Sequence, residues 1–355
     1  MFNWFKSAKN TELPAALSDF LQQWPLPDNT GLLGSLIRQV SFDAAARQLT
    51  VQLGLPMASV QPALQQALQQ AGFDMTLTLQ GELEKAPVFR QIKHIILVAS
   101  GKGGVGKSTT AVNLATALAM EGAKTGLLDA DIYGPSIPVM LGLDGQKAES
   151  PDNKLLSAKY AHGIYLQSIG FLVAPEQASV WRGPMASQAL LQLLNETLWP
   201  ELDYLIVDMP PGTGDIQLTM AQKLPVTGSV IVTTPQDVAL SDARKAISMF
   251  RQVNIPILGL VENMSFYLCR NCGEREDIFG TEGGVALAER YQVPVLGQLP
   301  LQKTIREAAD EGTPVVLTAE SVAQLYREIA RQMQLTLYWQ QQNSSQQPEI
   351  IITDD

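Results

Sequence analysis

The sequence predicts an α/β fold in which a mostly parallel sheet is covered by helices on both faces, with a small α/β appendage at the N-terminus. Segments of strand and helix character alternate from about residue 92 onward, and the strand-like segments are almost continuously apolar. Such strands are typical of parallel sheets that are buried on both faces. With 355 residues, the chain also has the length for one large domain and a smaller unit.

Each predicted element follows from its residue pattern. In the main part the predicted strands are 94–100, 124–129, 164–169, 204–208, 229–233, 257–262 and 295–299. The predicted helices there are 107–120, 187–198, 237–253 and 281–291, and Gly122 ends the first of them. In the appendage we expect helices at 13–24 and 60–71, and strands at 48–53 and 75–79.

Changes in composition divide the chain into three parts. Residues 1–90 are predicted to form a small α/β N-terminal domain that carries no recognisable chemical motif, and 85–89, with Pro87, serves as a linker. Residues 91–338 form the main domain. Residues 339–355 are rich in Gln and Ser and end in acidic residues, which predicts a disordered acidic tail.

The overall composition argues against several classes of function. The net charge of −10 disfavours broad binding to nucleic acid or to an anionic membrane, so we expect neither partner. No apolar run approaches the roughly 18 residues of a membrane span, and the N-terminus lacks the pattern of a signal peptide. We therefore expect a cytoplasmic protein. The two histidines, His94 and His162, are expected to be structural.

A glycine-rich loop joins the first strand of the main domain to the following helix. Its sequence, GKGGVGKS, matches the P-loop pattern G-x-x-x-x-G-K-[ST]. In such a loop the backbone N–H groups point at phosphate oxygens, the lysine contacts the β- and γ-phosphates, and the serine hydroxyl binds Mg²⁺. The sequence therefore predicts a P-loop NTPase that binds ATP. The predicted nucleotide-binding residues in the loop are Gly101, Lys102, Gly103, Gly104, Val105, Gly106, Lys107, Ser108 and Thr109.

Acidic residues follow two of the later strands. Asp129 and Asp131 end the strand at 124–129, and both would lie near the loop if that strand were the neighbour of the first. One of them could orient the attacking water. Asp208 ends a wholly apolar strand, as expected for a residue that holds Mg²⁺ together with Ser108. The loop 210–215 contains prolines and glycines and is predicted to respond to the γ-phosphate.

The only two cysteines, Cys269 and Cys272, have C-x-x-C spacing and are followed by a glycine. This context favours a metal site over a thioredoxin-like redox motif, which opens a helix in a fold of its own. Two thiolates do not complete a zinc site or an iron–sulfur cluster, each of which generally has four ligands. A two-fold dimer would bring two pairs together. The spacing itself does not distinguish zinc from iron–sulfur.

Two resemblances extend this interpretation. The segment KGGVGKS, with Lys102, resembles the deviant Walker A loop of the SIMIBI-class ATPases, in which this extra lysine contacts the nucleotide of the partner subunit. Together, KGGVGKST, LLDADIYGPS, LIVDMPPGTGD, ENMS and the C-x-x-C resemble the Mrp/ApbC family of iron–sulfur cluster carrier ATPases over residues from about 92 to 335. The N-terminal part departs from the family pattern, because it lacks an acidic Asp-Pro-Glu-type motif.

The resemblance implies a specific function. The family forms a homodimer that bridges a 4Fe–4S cluster between Cys269 and Cys272 of each subunit and passes it to apo-proteins, with cluster assembly or donor proteins as further partners. By the same resemblance, Lys102, Lys107 and Asp131 are the catalytic residues, and Asp131 orients the attacking water. Asn263 is expected to contact the adenine.

Two alternatives account for part of the pattern. A positioning ATPase related to MinD and ParA would explain the loop and Lys102 but not the cysteines, and the amphipathic segment 322–337 would be its candidate membrane contact. An ATPase with a structural zinc at the dimer interface would explain the cysteines without a cluster.

Overall fold

Two main sheets organise the chain in the computed structural model, which describes residues 13–27, 30–83, 85–151, 154–172, 183–269, 271–281 and 283–345. The first sheet has three strands and the second has nine. The predicted α/β fold, with a mostly parallel main sheet and helices on both of its faces, is confirmed.

The N-terminal sheet contains β1 (Ile37–Asp43), β2 (Gln48–Leu53) and β3 (Thr76–Gly81), accompanied by helices α1 (Ala15–Gln23) and α2 (Gln61–Gln70). Strand β1 is antiparallel to β2, whereas β2 and β3 are parallel. Alternate residues of β2 are buried, as expected for a sheet with one covered face. Strand β1 was not predicted. Only Val40 is buried in it, so its sequence, IRQVSFD, has no strong alternation of apolar and polar residues.

The main sheet is built from parallel strands with short antiparallel additions. Its strands are β4 (Ile92–Ala99), β5 (Thr125–Asp129), β7 (Lys159–Ala161), β8 (Ile164–Ser168), β10 (Leu202–Asp208), β11 (Gly228–Thr233), β12 (Ile257–Leu268), β13 (Arg275–Glu276) and β14 (Val295–Pro300). The parallel strands lie in the order β14-β12-β11-β4-β10-β5-β8. Strand β7 is antiparallel to β8, and β13 is antiparallel to the last residues of β12. Two short strands, β6 (Leu156–Ser157) and β9 (Thr197–Leu198), form a separate pair.

Helices cover the two faces of the main sheet. They are α3 (Lys107–Met120), α4 (Ile137–Met140), α5 (Gly183–Glu196), α6 (Asp215–Lys223), α7 (Asp237–Gln252), α8 (Gly283–Arg290), α9 (Lys303–Asp310) and α10 (Glu320–Ser345). Successive residues of a strand face opposite sides. In β4, Ile96 joins the core under α3 and α10, whereas Leu97 joins the core under α5 and α7. The sheet is therefore buried on both sides, which explains its apolar strands.

The strand order differs from the one supposed in the sequence analysis, where the strand at 124–129 was the neighbour of the first strand. Strand β5 does not lie beside β4, because β10 is inserted between them and pairs with both. In this register Asp208 lies opposite Val98 on one side and Asp129 on the other. The carboxyl ends of β4, β10 and β5 still meet at one edge, where ligands bind in open α/β sheets.

Helix α10 is longer than the sequence interpretation allowed. The tail was expected to begin at residue 339, but the helix continues through Ser345, and residues 346–355 lie outside the described part. The helix extends because its apolar side packs on α3, β14 and the N-terminal unit, burying Tyr326, Met333 and Tyr338. The amphipathic segment 322–337 thus packs within the protein. Among the described residues, no helix is both long enough and apolar enough to cross a membrane.

Candidate nucleotide site and cysteine turn

The P-loop connects β4 to α3 and depends on its glycines. Gly104 and Gly106 have φ of 80° and 86°, in the left-handed region that favours glycine. At Gly101, a Cβ atom would lie 2.2 Å from the backbone carbon of Asp242 on α7, so glycine is also needed for this close approach. The backbone is thus shaped to present N–H groups at the N-terminus of α3, where phosphate binds favourably.

Lys107 lies at the centre of the site with two carboxylates. Its ammonium is 2.6 Å from Asp208 Oδ1 and 3.7 Å from Asp131 Oδ2, and it donates to Ser108 Oγ at 3.2 Å. All of these groups lie where β10, β5 and α3 converge, and Lys107 and Asp208 are buried. One ammonium therefore compensates the charge of two carboxylates.

Asp208 and Ser108 fit a magnesium site. Burial raises the pKa of Asp208, and the adjacent Lys107 ammonium opposes this shift. Within the described part of the chain, the buried Oδ2 of Asp208 accepts no hydrogen bond. A carboxylate oxygen without a partner and a neighbouring hydroxyl are the hard oxygen donors that Mg²⁺ prefers.

The two aspartates at the end of β5 have different environments. Asp129 is fully buried and accepts hydrogen bonds from Ser168 Oγ at 2.9 Å and from the backbone of Asp131. Burial, together with the nearby Asp208 carboxylate, raises the pKa of Asp129. Asp131 is instead partly open and faces Lys107. The geometry therefore gives Asp129 a supporting position and leaves Asp131 beside the cavity.

A cavity of about 260 Å³ lies over the loop. It brings together most of the residues that the sequence predicted for the nucleotide. Its lining consists of Ser100, Gly103, Gly104, Gly106, Lys107, Ser108, Thr109, Asp131, Ser136, Met140 and Pro211.

The loop after β10 lies directly against the P-loop. The N–H of Gly212 donates to the carbonyl oxygen of Ser100 at 2.9 Å, and the Gln217 side chain donates to the carbonyl oxygen of Pro211 at 2.7 Å. Gly212 has φ of 105°, so this turn also requires glycine. The segment predicted to respond to the γ-phosphate therefore contacts the strand end that leads into the P-loop.

Asn263 lies beneath the P-loop rather than on the cavity wall. Its side-chain amide donates to the carbonyl oxygen of Val105 at 2.9 Å, and a Cβ atom on Gly106 would come within 2.1 Å of the amide nitrogen. The adenine contact that the resemblance implied for Asn263 stays a prediction. Its direct support of the loop was not anticipated from the sequence.

Lys102 also stays a prediction, because its expected contact is with a second subunit. Its carbonyl oxygen accepts a hydrogen bond from Ser100 Oγ at 2.9 Å. Within the described chain its ammonium makes no ion pair.

The cysteines lie in a turn between β12 and β13. The N–H of Cys269 donates to the carbonyl oxygen of Glu274, and the N–H of Gly273 donates to that of Cys269, both at 2.8 Å. Gly273 has φ of 75°. Backbone N–H groups of Cys272 and Asn271 lower the pKa of the Cys269 thiol. Cys272 is exposed and Cys269 partly so, which leaves both sulfurs accessible to an external ligand.

Sequence reasoning missed Glu262, which is fully buried in the middle of β12. Its carboxylate accepts hydrogen bonds from Ser265 Oγ at 2.6 Å, from the Gln298 side chain at 2.8 Å and from the N–H of Gly284. The sequence shows one glutamate in an apolar strand and gave no indication of these partners, two of which come from β14 and α8.

The chain is similar to known iron-transfer proteins. A family profile of ParA type, described as NUBPL iron-transfer P-loop NTPase, matches residues 91–334. The chain is 58% identical over 260 residues to the iron-sulfur cluster carrier protein of Escherichia coli (strain K12), covering 73% of this chain and 70% of that protein. It is 50% identical over 255 residues to the iron-sulfur cluster transfer protein NUBPL of Mus musculus, covering 71% and 80%.

Solved structures support the same fold. A nucleotide-binding protein from Archaeoglobus fulgidus, in complex with ADP, matches with a TM-score of 0.57 and 39% identity, over 63% of this chain and 88% of that one. The cell division ATPase MinD of Pyrococcus furiosus matches with a TM-score of 0.53 and 23% identity, over 68% and 98%, a likeness of fold alone. As the resemblance to Mrp/ApbC proteins predicted, the chain belongs to the ParA-type family of NUBPL iron-transfer P-loop NTPases.

Proposed function

We propose that this chain is an ATP-hydrolysing iron–sulfur cluster carrier that acts as a homodimer. In this proposal one 4Fe–4S cluster, the cargo, is held between Cys269 and Cys272 of both subunits and is passed to apo iron–sulfur proteins. The observation that carries the proposal is a single accessible two-thiol turn at the end of the strand whose Asn263 supports the P-loop.

The number of thiols supports a shared cluster. A 4Fe–4S cluster takes four cysteine ligands, and the whole chain has two. Among the described residues, no group of three or more His, Cys, Asp or Glu side chains is arranged to hold a metal ion. A second copy of the same turn supplies the missing ligands through two-fold symmetry.

Some exposed apolar side chains lie next in sequence to the nucleotide site and to the cysteines, where the proposed dimer could cover them. Beside the nucleotide cavity, the exposed fractions are 51% for Tyr133 and 45% for Val139. Beside the cysteines they are 40% for Leu268 and 53% for Ile278. Burial of such side chains against a partner subunit would be favourable. Such a dimer would also bring Lys102 to the partner's nucleotide.

The nucleotide chemistry follows from the P-loop site. Lys107 and the loop N–H groups would bind the phosphates, and Asn263 would contact the adenine. Ser108 and Asp208 would hold Mg²⁺, which neutralises phosphate charge when bound. Asp131 lies on the cavity wall with Lys107 beside it, where its carboxylate can accept a proton from the attacking water.

Cluster transfer tests the proposal directly. The protein is reconstituted anaerobically with ferrous iron and sulfide, then mixed with an apo-protein that needs a 4Fe–4S cluster, with and without Mg-ATP. We expect the acceptor to gain visible absorbance and activity from the wild type, and nothing from Cys269→Ala. The matched control, Asn271→Ala, changes the same turn without removing a thiol and should transfer normally. A colourless protein that binds only zinc, or normal transfer by Cys269→Ala, would exclude this function.

A further inference from the structure

Strand β12 links the P-loop to the cysteine turn, because it contacts the loop and leads directly into the turn. It passes the P-loop at Asn263 and ends at Leu268, the residue before Cys269. We propose that Asn263 and Met264 are positioning residues that couple occupancy of the P-loop to the geometry of the cysteine pair. The inference deepens the proposed function and depends on it for its biological purpose, but the physical coupling can be tested without a cluster.

The first step of the coupling passes through the peptide group between Val105 and Gly106. The carbonyl of Val105 accepts the hydrogen bond from Asn263, and the N–H of the same peptide belongs to Gly106, in the loop that cradles phosphate. A trans peptide is planar, so its C=O and N–H point in opposite directions. A phosphate bound to the N–H polarises this peptide and fixes its tilt. The hydrogen bond at its other end transmits both effects to Asn263.

The second step is the irregularity that follows Asn263. The pairing of β12 with β14 shifts register between Glu262 and Phe266, and Met264 has φ of 54° in the middle of this interval. A side chain other than glycine is strained in this left-handed region. The buried carboxylate of Glu262 accepts hydrogen bonds from Ser265 and from residues of α8 and β14. The bulge is therefore held at Glu262 while Asn263 and Met264 provide a local change of strand direction.

The third step is a firmly paired segment that ends in the cysteines. Tyr267 and Leu268 pair with β13, and the guanidinium of Arg275 lies 4.3 Å from the centre of the Phe266 ring. The N–H of Cys269 is bonded to Glu274, so the turn moves with the two strands. From Ser265 to Cys269 the segment spans about 13 Å. A small rotation at the bulge therefore displaces the sulfurs by more than it displaces Asn263.

Thiol alkylation of the metal-free protein tests this coupling. The chain has only two cysteines, so labelling by a maleimide, followed by mass spectrometry, reports on this turn alone. In the wild type we expect the rate to differ on the order of fivefold between the empty protein and protein saturated with a non-hydrolysable Mg-ATP analogue. The dimer fraction is measured in parallel by light scattering.

Two variants separate coupling from binding. Asn263→Ala should lose the response at nucleotide concentrations shown by a fluorescent analogue to be saturating. Met264→Gly relieves the left-handed strain and softens the bulge, so it should bind nucleotide as the wild type does but show less than half of the response. The matched control is Asn254→Gly, which also relieves left-handed strain, at φ of 56° in the turn after α7. It should keep the full response.

Three results would overturn the inference. The first is a wild-type alkylation rate that does not change when nucleotide binds, and the second is a wild-type response in both Asn263→Ala and Met264→Gly. The third is an alkylation rate that depends only on the dimer fraction in every variant. None of these results depends on iron. Cluster loading and transfer could still succeed without coupling, and coupling could be present in a protein that carries no cluster.

Discussion

Lys107 has two roles that follow from its burial. Its ammonium compensates the charges of Asp208 and Asp131, and the resemblance and the P-loop pattern assign the same group to the phosphates. A buried carboxylate that loses its counter-charge is strongly destabilising. In the proposed site, one cation therefore both stabilises the folded chain and binds nucleotide.

Removing this ammonium should affect folding and binding separately. We expect Lys107→Ala to lower the free energy of unfolding by about 3 kcal/mol, because Asp208 is left buried without compensation. The double variant Lys107→Ala/Asp208→Asn should regain most of that stability, since Asn is neutral. In both variants the affinity for ATP should fall on the order of 10- to 100-fold, because both lack the ammonium. Urea unfolding and calorimetric titration measure the two effects, and equal stability of the single and double variants would contradict this account.

At this level the sequence predicted local motifs but not long-range partners. The loop from Gly101 to Ser108 is contiguous, so its chemistry is visible in the letters alone. The different environments of Asp129 and Asp131 are not visible in the sequence, because they depend on Ser168 from another strand. The partners of Glu262 are likewise remote in sequence.

The P-loop and β12 fit each other closely, and one pair of glycine substitutions tests this contact. Gly104 and Gly106 both have positive φ, so alanine is strained by roughly 1 kcal/mol at either position. Only at Gly106 would the new Cβ also meet the Asn263 amide, at 2.1 Å, whereas at Gly104 nothing lies within 4 Å. We expect Gly106→Ala to lose more stability than Gly104→Ala, measured by thermal unfolding. Removing the obstruction in Gly106→Ala/Asn263→Ala should abolish the extra loss that the steric contact causes in Gly106→Ala. Equal losses for both single variants would refute the contact.

The packing of β4 on β10 gives the protein a specific sensitivity to acid. His94 is buried and stacks on Tyr204 with ring centres 5.4 Å apart. Burial, and then the charges of Lys85 and Lys93, lower the pKa of His94 to about 3. An unfolded chain takes up this proton near the ordinary value of 6.5, so acidification from 6.5 towards 3 favours unfolding.

His94→Phe should remove this part of the acid dependence. Between pH 6.5 and 4.5, the wild type should lose up to about 1.4 kcal/mol per pH unit more than the variant. Tyr204→Phe keeps the stacked pair and loses only the hydroxyl bond to Gln334, so it should retain the wild-type slope. Unfolding in urea at several pH values measures the slopes, and parallel curves for wild type and His94→Phe would show that the histidine is not responsible.

Among the elements, those with strong periodicity could be predicted and the rest could not. The helix at Lys107–Met120 and the strand at Gln48–Leu53 agree with the prediction because their apolar patterns are clear. Strand β12 was predicted to end at Glu262 but continues to Leu268, since the polar residues after Glu262 are accommodated by a bulge and a hairpin. The position of β10 between β4 and β5 could not be predicted, because local residue patterns do not determine the order of strands in a sheet.

At the scale of the whole molecule, the N-terminal unit contacts two helices that cover the main sheet. Arg38 donates to the Tyr338 hydroxyl at 3.0 Å, and the backbone of Ser59 donates to Glu121 at 2.9 Å. Both contacts lie on α10 and at the end of α3, away from the loop that opens α3. In the proposed homodimer, the nucleotide cavity and the cysteine turn face the second subunit.

Iron content measured together with molecular mass tests the shared-cluster dimer most directly. After anaerobic reconstitution, size-exclusion chromatography with light scattering should show two chains per particle, with about four iron atoms per dimer and visible absorbance. Cys269→Ala should lose the iron, and Asn271→Ala should keep it. A monomer that retains a full complement of metal, or a dimer whose iron content is unchanged by Cys269→Ala, would contradict the account.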